Sequence, residues 1–84
     1  MELLKEAIKA LDAYLDGTIS PSLLHSALIK IQEAAKENGY EETSYMIWEQ
    51  AMGAQIEATI STGNDNSFID GKQSMLDRIE QIKA

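Results

Sequence analysis

The sequence predicts an all-α fold, an antiparallel up-down four-helix bundle in which residues 1–84 form a single domain. Three observations carry that expectation. The residue list favours helix, with ten Ala, ten Ile, eight Leu, four Met, one Pro and no Val. Apolar positions recur at i, i+3 or i+4 and i+7 in four successive stretches. Gly17, Gly39 and Gly63 each follow such a stretch, as C-terminal caps with positive φ do.

The first stretch, Glu2 to Asp16, places Leu4, Ile8, Leu11 and Leu15 on one stripe of a 3.6-residue period. Leu3, Ala7, Ala10 and Tyr14 widen it, so this helix is expected to be well buried. Gly17-Thr18-Ile19 leads to Ser20-Pro21. Serine is a good N-cap, and proline at the first helical position lacks only an N–H that would have no partner there. The second helix then turns Leu24, Ala27, Leu28, Ile31 and Ala35 inward and ends near Asn38-Gly39.

The third stretch, Glu41 to Ser61, has Tyr45, Trp48, Met52, Ile56 and Ile60 at helical spacing, and these are expected to face the core. An exposed Trp48 would instead be an interface anchor. Gly53 in its middle costs about 1 kcal/mol against alanine, which points to a close helix crossing or a kink. Ser61 to Asn66 reads as a loop. The last helix begins between Ser67 and Asp70 and is expected to bury Phe68, Met75, Leu76, Ile79 and Ile82.

Composition excludes several classes. Cysteine is absent, so neither disulfides nor thiolate metal sites supplement a small core. No apolar run approaches the roughly 20 residues of a membrane span. The opening Met-Glu-Leu-Leu-Lys-Glu has no basic n-region followed by an apolar h-region, so a cytoplasmic location is expected. Fourteen acids against seven bases, net −7, argue against nucleic acid or an anionic membrane as ligand.

That charge is unevenly placed. From Glu37 to Gly71 the acids are Glu37, Glu41, Glu42, Glu49, Glu57, Asp65 and Asp70, with no Lys or Arg among them. The remaining residues hold seven acids and seven bases, so the whole net charge resides in the middle of the chain. A field of one sign captures an oppositely charged partner and repels like-charged ones. It also keeps small domains soluble. On the first interpretation Glu41, Glu42, Glu49, Glu57, Asp65 and Asp70 form the partner-binding set, with Tyr40 and Tyr45 as anchors at its rim.

Catalytic and metal chemistry find little support. His25 stands near Ser22 and Ser26, but no orienting acid or oxyanion site accompanies it. It is expected at the surface or core boundary. There is no HExxH and no Glu-x-x-His of the di-iron bundles. Asp65 to Leu76 fails as a calcium loop, because Asp70 stands where glycine is needed and Leu76 where a bidentate Glu belongs. Glu41-Glu42 fits the first turn of a helix, where acids favour the dipole. No catalytic residue, metal or cofactor is therefore expected, and the chain is not expected to be an enzyme.

Two stretches carry a resemblance. Ala10-Leu11-Asp12-Ala13-Tyr14-Leu15-Asp16-Gly17-Thr18-Ile19-Ser20 resembles the aromatic-Leu-x-Gly/Lys-x-Ile-Ser/Thr hairpin near the start of colicin D-type immunity proteins. Phe68-Ile69-Asp70-Gly71, followed by Leu76 to Ile82, is similar to the approach to their last helix. The family has an acidic-plus-Phe pair where this chain has Ser22-Leu23-Leu24, and the middle segment does not align. The resemblance implies a four-helix bundle that neutralises a tRNA-cleaving toxin by placing acids in its basic cleft; it assigns no individual residue. The expected function is thus a small acidic inhibitor of a basic protein, specifically an immunity protein against a bacterial nuclease toxin. A phage counter-defence inhibitor of a host enzyme and a homo-oligomeric structural or adaptor bundle are the alternatives.

Overall fold

A computed structural model describes residues 2–63 and 65–83. It is all-α, with four helices and no strand among the described residues: α1 Glu2–Leu15, α2 Pro21–Glu37, α3 Glu41–Ile60 and α4 Asn66–Lys83. Asn64, within the predicted loop, lies outside the described residues. No helix is long and apolar enough to cross a membrane.

Local chemistry explains the boundaries. At the end of α1, Thr18 N–H donates to the Ala13 carbonyl at 2.8 Å and Gly17 N–H to that of Tyr14 at 3.0 Å. Tyr40 N–H to Ala35 at 2.9 Å and Gly39 N–H to Lys36 at 3.1 Å repeat the pattern after α2. Both are Schellman closures, which need a left-handed residue at C′; Gly17 and Gly39 supply it at φ 79° and 80°. Ser20 caps α2 by accepting from Leu23 N–H at 3.2 Å, with Pro21 as the first helical residue. The end of α3 is handled differently. Ser61 takes the left-handed cap position, at φ 58°, and the expected cap Gly63 stands beyond it, also left-handed at φ 74°.

Each helix packs on its chain neighbours, α4 returns to α1, and α1 also touches α3 across the middle. Leu4, Ala7 and Leu11 of α1 meet Leu24 and Leu28 of α2, Ile47, Ala51 and Ala54 of α3, and Phe68, Met75 and Ile79 of α4. The Tyr14 and Phe68 rings meet edge to face, centroids 5.0 Å apart. The Asp12 carboxylate pairs with Lys72 at 2.5 Å on the same α1–α4 side. Gly53 marks a close approach and no break: α3 runs through it, and a Cβ there would stand 3.4 Å from Phe68 Cε1.

The inward face of α3 corrects the expectation from sequence. Ile47, Ala51 and Ala54 are buried with Thr43, Ser44 and Glu57, while Tyr45, Trp48, Ile56 and Ile60 are exposed and Met52 is only partly covered. This helix carries two apolar stripes, and the one with small residues won. Alanines let neighbouring helices approach closely, and the polar members of the stripe find partners inside. Gln32 donates its amide to Ser44 Oγ at 2.8 Å. Glu57 is held by the loop after α3. On α4, Phe68, Met75 and Ile79 fill the inward face, which leaves Leu76 and Ile82 exposed on its flanks.

Candidate functional site

The outer face of α3 is the most unusual surface of the molecule. Trp48, Met52, Ile56 and Ile60 follow one another at i+4, forming a single ridge along the helix. Trp48 is 43% exposed, Ile56 53% and Ile60 68%. Tyr45, 61% exposed, stacks against Trp48 with centroids 6.1 Å apart and planes 25° from parallel. Trp48 is therefore an exposed aromatic and not the core residue its stripe position suggested. Large apolar side chains are thus grouped on one exposed face of a small protein.

Beside this ridge the seam between α3 and α4 opens into depressions. One of about 680 Å³ lies among Glu41, Glu42, Tyr45, Met46, Ser74 and Arg78. A second, of about 380 Å³, adjoins it through Met46 and Ser74 and is bounded by Glu49, Gln50, Asp70 and Gly71. A third, of about 500 Å³, lies at the start of α3 beside Tyr40, Glu41, Glu42 and Arg78. Gln50 lays its amide over Gly71, where a Cβ would collide with it. On the other flank of α3, Tyr45 and Trp48 border a shallow depression with Gln32 and Lys36 of α2.

The structure thus brings together most of the sequence-predicted partner residues, though not all. Glu41, Glu42, Tyr40 and Tyr45 cluster at the start of α3, and Glu49 and Asp70 face the same seam. Glu41, Glu49 and Asp70 are exposed and join no ion pair among the described residues. Glu42 differs: Arg78 of α4 reaches it at 2.6 Å. A segment without bases in the sequence therefore acquires one through packing.

Glu57 and Asp65 lie elsewhere, around the C-terminal end of α3. Glu57 is only 6% exposed and accepts hydrogen bonds from the Thr62 hydroxyl and, at 3.2 Å, from Gly63 N–H. Its carboxylate fastens a loop and is withdrawn from the surface that would steer a partner. Asp65 accepts from the Tyr14 hydroxyl at 3.4 Å, and its carbonyl accepts from Phe68 and Ile69 N–H at the start of α4. Partial burial pushes the Tyr14 phenol above its ordinary value, and the Asp65 and Glu57 carboxylates raise it further.

His25, half-buried, directs Nδ1 to the Ala51 carbonyl at 2.9 Å, so the tautomer protonated there donates across the α2–α3 contact. That role is structural. No group of three His, Cys, Asp or Glu residues is placed to hold a metal among the described residues. Sequence reasoning missed the exposed ridge and the counter-charge of Arg78. The first left a signal, since α3 is apolar on both sides; the second left none, since Glu42 and Arg78 meet only through tertiary packing. No protein-family model, curated protein or solved structure matches the chain.

Proposed function

We propose that this chain is a small acidic inhibitor that binds and neutralises a basic protein, in its specific form an immunity protein against a bacterial nuclease toxin acting on tRNA. On this reading it is a non-enzymatic, cytoplasmic protein that works by occupying its partner's surface. One observation carries the proposal: Glu41, Glu49 and Asp70 stand exposed, without ion-pair partners among the described residues, along an α3–α4 seam bordered by Tyr45 of the exposed Tyr45–Trp48 stack. Acids accelerate encounter with a cationic surface, and aromatic side chains supply contact area once the partner has docked. The resemblance of both ends of the chain to colicin D-type immunity proteins points the same way.

The scaffold in this proposal is an up-down antiparallel bundle. Its support is the neighbour order of the helices together with two hydrogen bonds between α2 and α3. From His25–Ala51 to Gln32–Ser44 the contact advances along α2 while it retreats along α3.

The test is capture by the tagged chain from its source organism at low and at high salt, followed by an RNA-cleavage assay of whatever is retained. A basic nuclease domain, released by salt and inhibited by the added chain, is the expected result. A partner without net positive charge would refute the electrostatic basis. A second reading, the homo-oligomeric bundle, draws on the ridge formed by Ile56 and Ile60, which apolar surface of another copy would cover. Sedimentation across a dilution series separates the two, since a monomer at every concentration removes the oligomer.

A further inference from the structure

The α3–α4 seam has the form of a groove. Its two adjoining depressions share Met46 and Ser74, and from Ser67 to Gln81 it follows α4 for about 21 Å. The walls present side chains three or four residues apart, with Glu42, Met46 and Glu49 on one side and Asp70, Ser74 and Arg78 on the other. Those are the spacings between which the ridges of a third helix fit. Met46 and the buried Met75 line the groove together with the polar Gln50 and Ser74, and thioether side chains adapt to differently shaped partners. Tyr45 stands on the rim.

Charge selects the occupant. Glu41, Glu49 and Asp70 project around the groove without ion-pair partners among the described residues, while Arg78, the one cation among the residues lining its two depressions, is engaged by Glu42. A second copy of this chain would bring the same acids to the same place, and like charges in apposition disfavour association. We propose that the groove receives an amphipathic helix of a basic partner. Its apolar face covers Met46 and Tyr45, and its Lys or Arg flanks meet Glu41, Glu49 and Asp70. The inference rests on reading the chain as a ligand of a basic protein and names the element of that protein that is bound.

The experiment uses the whole chain and three synthetic peptides of about five helical turns. The first carries a leucine face flanked by lysines. The second has the same composition scrambled so that no face forms, and the third replaces lysine by glutamate. Binding is followed by titration calorimetry and through the amide resonances of Gly71 and Ser74, which line the groove. The first peptide should bind, more weakly as salt rises, and shift both amides. Glu49→Lys with Asp70→Lys should weaken it by about tenfold or more. The charge-matched pair Glu6→Lys with Asp16→Lys, both exposed on the α1 side, should weaken it far less.

Equal loss in both pairs, equal binding of the scrambled peptide, or no binding at all would overturn the groove. So would a dimer of the chain alone that Glu49→Lys with Asp70→Lys dissociates. Failure here and failure of the functional proposal are separable. A captured basic nuclease that binds the Glu49→Lys/Asp70→Lys chain as tightly as the parent refutes the groove and leaves the inhibitor reading standing. Groove-specific peptide binding with no basic protein captured does the reverse.

Discussion

Replacing Glu57 tests the packing of the α3–α4 connection directly. Its carboxylate is buried near the C-terminal end of α3, where the helix dipole is unfavourable to negative charge. It remains there because it accepts from the Thr62 hydroxyl and the Gly63 N–H. A hydrogen bond to a charged group contributes about 1.5–3 kcal/mol net. Gly63 is exposed, so water replaces part of what it loses. Glu57→Ala should therefore cost about 1–3 kcal/mol. Glu57→Gln keeps an acceptor oxygen and relieves the dipole, two effects that nearly offset, and should cost less than about 1 kcal/mol. Urea denaturation measures both, provided the m-value is unchanged. Combining Glu57→Ala with Thr62→Ala should give less than the sum of the single losses, because the two side chains share a bond. A Glu57→Ala protein within 0.5 kcal/mol of the parent, on the order of an ordinary surface change, would refute the latch.

Three further outcomes are expected. Gly53→Ala should stabilise α3 by up to about 1 kcal/mol, because the added methyl meets Phe68 at an ordinary 3.4 Å; a destabilised variant in thermal unfolding would show the Phe68 contact to be tighter than that. Ser61→Gly should add about 0.5–1 kcal/mol by removing the strain of a left-handed serine, net of glycine's greater entropy, again read from urea midpoints. Tyr14 holds its proton more tightly folded than unfolded, so its contribution is complete below its ordinary pKa of 10.0 and is lost as pH rises through the raised value. The stability gap between the parent and Tyr14→Phe should accordingly shift in favour of the variant above pH 10.0, and a gap constant with pH would contradict the Tyr14 environment.

What could be read from sequence was what local chemistry determines. The α1–α2 hairpin announces itself through Gly17, Ser20 and Pro21, each of which acts within a few residues of its place in the chain. The inward side of α3 did not, because two apolar stripes compete and side-chain size is a poor guide between them. Ala51 and Ala54 are buried while Trp48 and Ile60 are exposed, an outcome that periodicity within α3 does not specify. The acidic cluster was visible as composition, but its membership required packing. Arg78 arrives at Glu42 from a distant segment, and Glu57 turns inward only because the following loop offers donors to it.

The return of α4 onto α1 has a consequence for the order in which the molecule assembles. Gln32 and Ser44, which tie α2 to α3, are 12 residues apart, whereas Tyr14 and Asp65, at the closure of α1 on the last helix, are 51 apart. Loop-closure entropy makes the longer contact costlier by about 1.3 kcal/mol. The α2–α3 contact therefore costs less to close than the return of α4 onto α1 at the Tyr14–Phe68 contact. A chain halted before that step has its buried α3 stripe uncovered toward α4, while the outer ridge of Trp48 and Ile60 is already formed. The exposed apolar ridge thus rests on a hairpin of local contacts, separate from the core that holds the finished molecule together.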